Sequence, residues 1–87
     1  VNAIELADRA GITYRQLDYW CRTGLVSALN EGSGSGRERE FSLPEVRVVV
    51  RAGRMVREGM TPTAAVNAAR REPAVVVSLL QALGEAS

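Results

Sequence analysis

Residues 13 to 22 read Thr-Tyr-Arg-Gln-Leu-Asp-Tyr-Trp-Cys-Arg. Within them Tyr14, Arg15, Gln16, Tyr19 and Arg22 carry hydrogen-bonding heads on arms long enough to reach a partner outside the protein. Arginine and glutamine can form paired hydrogen bonds with the edges of guanine and adenine. Thr13 and the first-turn amides of a following helix suit a phosphate oxygen. This is chemistry of recognition and not of bond-making. The chain has no histidine to serve as a base near neutral pH. Its single cysteine, Cys21, can neither close an intramolecular disulfide nor build a thiolate metal site. The carboxylates and tyrosines form no clustered pair in a plausible cleft. The expectation is therefore a protein that is not an enzyme and that uses no metal and no cofactor.

A helix has to hold those side chains in place. Helical geometry that turns Leu17, Trp20 and Cys21 inward puts Tyr14, Arg15, Asp18, Tyr19 and Arg22 outward or toward the rims, with Gln16 beside them. Ordinary surface helices favour Glu, Lys and Ala, so this outer face suits a major groove better than bulk water. The plainer alternative is the solvated side of a core helix. Thr13 is its expected cap and Gly24 its stop. Upstream, "NAIELADRAG" spaces Ile4, Leu6, Ala7 and Ala10 for a first helix, with Asn2 and Glu5 as a capping box and Gly11 ending it. Ile12 follows as an apolar plug. Two helices joined by about three residues that include a glycine fit a helix-turn-helix.

After Leu25 the pattern changes. "LVSAL" and "REREF" flank the polar "NEGSGSG", which reads as a hairpin tip and hence a wing, or else as a disordered linker between helical pieces. Ser42, with Pro44 and Glu45 behind it, should cap a long helix with an inward stripe of Leu43, Val46, Val49, Val50, Gly53 and Val56, ending near Gly59. Arg47, Arg51 and Arg54 then form one outward row. Thr61 and Pro62 open another helix. Pro73 opens a last one, whose Val75, Val76, Leu79, Leu80 and Leu83 make an uncharged stripe that either completes the core or docks on a second copy in a homodimer.

An 87-residue chain with 46% hydrophobic and 24% charged residues has the size and composition of one small globular domain. The fold class expected is mainly α: a winged helix-turn-helix with a small two-stranded β-hairpin wing and additional C-terminal helices. Within the single domain 1–87, the helix-turn-helix covers 1–24, the wing 25–41, a helical pair 42–71 and the C-terminal helix 73–84. The net charge is only +1, yet all 11 basic residues are arginines. That suits phosphate and guanine contacts, and it equally suits a GC-rich coding bias. No stretch has the ~20 apolar residues of a membrane span, and no signal-peptide pattern opens the chain, so an intracellular protein with no membrane partner is expected. Val1 stands where an initiator methionine would, which reads as a processed protein or as a piece of a longer one.

These residues resemble the MerR-type winged-helix transcription regulators over about residues 2 to 70. The likeness rests on "ELADRAGIT", "RQLDYWCRTGLV" and "GSGSGREREFSLPEV", in which Gly36, Arg39, Phe41, Ser42 and Glu45 fill the family's wing-to-helix pattern. The resemblance implies a bacterial, cytoplasmic protein of the nucleoid that binds double-stranded DNA sequence-specifically. It implies that Thr13, Tyr14, Arg15, Gln16, Tyr19 and Arg22 lie at the major groove or its phosphate rims. It also implies that Arg37 and Arg39 are wing contacts; the alternative for these two is pairing with Glu31, Glu38 or Glu40. Three departures stand out, the first being Cys21, where many members carry an acidic residue. Phe41 replaces the usual tyrosine, and Asp18 occupies a place where many members carry arginine, so it must accept from cytosine or pair with a neighbouring arginine if it is not to repel phosphate. Other roles compatible with the same residues are an architectural DNA-binding factor, such as an excisionase or a small terminase subunit, and a helical protein-interaction domain that has lost DNA affinity.

Overall fold

The computed structural model describes residues 1–29, 39–72 and 80–84. Its helices are α1 (Ala3–Ala10), α2 (Tyr14–Arg22), α3 (Leu43–Arg57) and α4 (Pro62–Arg70), and residues 80–84 are also helical. Each of the four begins where a short polar side chain satisfies an amide that the helix leaves open. Asn2 Oδ1 accepts from the Glu5 N–H at 2.9 Å, Thr13 Oγ1 from Gln16, Ser42 Oγ from Glu45 and Thr61 Oγ1 from Ala64. These are the caps expected from the sequence.

The turn between α1 and α2 depends on Gly11, which adopts a left-handed φ of 69° while its N–H and that of Ile12 close the end of α1 onto Asp8 and Ala7. Arg57 donates to the Ala10 carbonyl at the same end, in the space a side chain on Gly11 would take. At the end of α2, Gly24 (φ 82°) reverses the chain so that Leu25 and Val26 donate to the Trp20 carbonyl. Val26 is thereby delivered into the core.

Leu6, Leu17, Trp20, Val26, Val48, Val49 and Val66 are fully buried and tie the four helices into one core. α3 packs against both α1 and α4, and α1 against α2. At the α1–α3 crossing a Cβ on Gly53 would collide with the backbone oxygen of Ala10, so the two helices meet where only glycine fits. The inward faces of α1 and α3 differ in part from expectation. Ile4 and Leu43 are exposed, while Val48 and Ala52, outside the expected stripe, are buried. A helix covered on two sides buries a broader arc than a single stripe, and the arc is centred between its two neighbours.

Of residues 25–41, expected as a wing, 25–29 and 39–41 are described. Leu29 N–H donates to the Glu40 carbonyl at 2.7 Å, which brings the two arms of residues 25–41 together there. Glu40 also forms an isolated antiparallel bridge with Asn2. Among the described residues there is no two-stranded hairpin; the glycine-rich tip and Arg37 lie outside them, as do Pro73, Val75, Val76 and Leu79 of the last expected helix. Leu80 and Leu83, which are described, are exposed. No helix among the described residues is long and apolar enough to cross a membrane.

Candidate nucleic-acid interface

The head of α2 is closed by a reciprocal capping box. Thr13 Oγ1 accepts from the Gln16 N–H at 3.0 Å, and Gln16 Oε1 accepts from the Thr13 N–H at 2.8 Å. The Gln16 carbonyl is thus engaged at the cap, and its amide NH2 is the group with donors to offer a partner. Leu17, Trp20 and Cys21 are buried, as the periodicity requires. On the other side of the helix Arg15, Gln16, Tyr19 and Arg22 are exposed, Tyr19 to 62%. Arg15, Tyr19 and Arg22 stand at i, i+4 and i+7 and therefore share one row. Tyr14 is half-buried against the core and sits at the rim of this face.

In the middle of the face lies Asp18, with both carboxylate oxygens engaged. Oδ2 accepts from Arg22 Nε at 2.7 Å, one turn along the same helix. Oδ1 accepts from Arg39 Nη1, also at 2.7 Å, from the base of the wing. The hydrogen bond from Arg39, and next that from Arg22, holds the Asp18 carboxyl below the usual aspartate range against a smaller opposing effect of desolvation. The same bond to Asp18 raises the Arg39 guanidinium above its ordinary value, in part against its own desolvation. Of the two options that the sequence left for Asp18, pairing with arginine is the one adopted. Arg39, expected as a wing contact, pairs with Asp18 and leaves 17% of its side chain exposed, while Arg22 keeps 71%. Asp18 was not among the expected contact residues. Its spacing to Arg22 could have signalled the first bond; nothing local signals the second, 21 residues away.

A second node fixes the path of the chain as it leaves α2. Glu45, in the first turn of α3, accepts from the Ser27 N–H at 2.9 Å and from both Nη atoms of Arg70 at the end of α4. Arg70 Nη2 also donates to the Leu25 carbonyl at 2.7 Å. Phe41 is buried in the core. The row Arg47, Arg51 and Arg54 borders a groove of about 300 Å³ floored by Val46, Val50 and Met55, and Arg51 pairs with Glu72 at 2.5 Å.

The family model for the MerR HTH family of regulatory proteins matches residues 3–72, from the first residue of α1 to just past α4. HTH-type transcriptional regulators of Mycobacterium bovis and Mycobacterium tuberculosis are each 43% identical to the chain over 53 residues, which is 60% of this chain. The matched region spans 24% of the length of those relatives. No solved structure matches the chain.

Proposed function

The chain belongs to the MerR family of helix-turn-helix regulatory proteins, and from that premise we propose that it is the DNA-reading domain of a bacterial transcription regulator, binding double-stranded DNA sequence-specifically through α2. The observation that carries this reading is the exposed row Arg15, Tyr19 and Arg22 beside Gln16, on a helix whose opposite side is locked into the core. Arg15 and Gln16, nearest the N-terminus, read base edges in the major groove; Thr13, Tyr14, Tyr19 and Arg22 meet the phosphates at its rims. Residues 25–41 form a wing that lies along the duplex, with Arg37 on the backbone. The exposed Leu80 and Leu83 support docking on a second copy, which would present two reading helices to an inverted repeat.

Titration of random and selected duplexes over a salt series tests the proposal. Affinity should fall as salt rises, because bound arginines displace counterions. Arg15→Ala should cost about 1–3 kcal/mol on the selected duplex and little on the random one. Absence of binding to any duplex at low salt would overturn it in favour of a protein-interaction domain. The net charge of +1 is what favours that second reading. Asp18 does not support it, since two arginines neutralise its carboxylate.

A further inference from the structure

A carboxylate in the centre of a face that meets a polyanion opposes binding unless it does something that offsets its charge. Asp18 spends one oxygen on Arg22, within α2, and the other on Arg39, at the start of the chain's return from the wing. The two bonds differ in setting. Arg22 is largely in water, where an ion pair is weak and easily exchanged for a phosphate. Asp18 and Arg39 expose only 20% and 17% of their side chains, so their charge-assisted bond is shielded on both ends. Arg39 is followed by Glu40, which bridges to Asn2, and by the buried Phe41, so the residue that Asp18 grips belongs to a well-anchored strand of chain. The other arm of the wing is held by Glu45 through Ser27.

We infer that Asp18 is a positioning residue that fastens the base of the wing to the reading helix, with Arg39 acting as the other half of that fastening and not as a DNA contact. The inference rests on the reading of α2 as the DNA-contacting helix. Asp18 sets the distance and angle between the helix and residues 39–41 before DNA arrives, which lowers the cost of fixing that geometry on binding. The cluster of one carboxylate and two guanidiniums keeps a net positive charge, and Arg22, gripped by Nε alone, has its outer nitrogens for a phosphate.

The test uses Asp18→Asn, Arg39→Gln and the double variant on the selected and random duplexes across a salt series, with thermal unfolding recorded for each. Asp18→Asn should weaken binding to the selected duplex about tenfold while leaving the random duplex unchanged or bound more tightly, because a negative charge has gone. Arg39→Gln should lower the same selectivity ratio without reducing the salt slope, and the double variant should be no worse than either single one. Arg22→Gln, by contrast, should lower the slope by about one and spare the ratio. Should Asp18→Asn unfold, Arg39→Lys carries the same test, since it keeps the charge and loses the planar grip. Equal tightening of both duplexes by Asp18→Asn reduces Asp18 to a repulsive charge and defeats the inference. A slope lowered by about one in Arg39→Gln defeats it as well, for Arg39 is then a phosphate contact. Wild-type protein that binds neither duplex overturns the DNA-binding reading itself, an outcome distinct from both.

Discussion

At the scale of the residue, the position of Asp18 has a measurable consequence even without DNA. Its two arginines bond the ionised form more strongly than the protonated one, so its folded pKa lies below the ordinary value of 3.8 that the unfolded chain keeps. The unfolded state therefore takes up the proton first as pH falls. The stabilisation is full above 3.8 and is lost as pH drops through the lower folded value. Unfolding followed from neutral pH into acid should show Asp18→Asn losing stability less steeply than wild type below that point, with parallel profiles above it. Equal slopes in acid would mean that the pairs with Arg22 and Arg39 do not persist in solution. Arg15 makes the opposite case: exposed and outside this cluster, it should matter to DNA and hardly to folding.

At the scale of the element, the four helix starts were legible in the sequence because capping is local: Asn2, Thr13, Ser42 and Thr61 need only the amide three residues on. The face of α2 was legible for a related reason. A nine-residue helix with Leu17, Trp20 and Cys21 as its apolar positions has one way to turn. α3 was not, since its burial is set by tertiary packing against both α1 and α4, in which Val48 and Ala52 are buried and Leu43 is left in water. The same limit hid the partner of Arg39. Two substitutions test this level. Thr13→Ala removes one side of the capping box and should cost about 1 kcal/mol in urea unfolding, with Thr13→Ser recovering most of it. Gly53→Ala gains about 1 kcal/mol in helix propensity but drives a methyl into the Ala10 backbone. Overpacking of this kind costs about 1–3 kcal/mol or more, and because the obstacle is backbone, the melting temperature should fall. A rise would show that α1 and α3 can part without penalty.

At the scale of the whole molecule, a net charge of +1 gives weak long-range attraction to DNA, so affinity must be concentrated on one face. The clusters around Asp18 and Glu45 make that concentration geometric, each joining parts of the chain that are distant in sequence. The node at Glu45 also sets the smallest piece that can work. A polypeptide cut after Glu58 retains the reading helix and every residue assigned to the groove, and on a contact list it looks sufficient. It lacks Arg70, however, and with it the bonds to Glu45 and to the Leu25 carbonyl, as well as the packing of α4 on α3. Such a truncation should melt at a lower temperature than a polypeptide cut after Glu72, which keeps Arg70 and both of its bonds, and should select less well between single half-sites. The proposed contacts include none from the fourth helix, yet a portable unit with the proposed DNA-reading role has to include it.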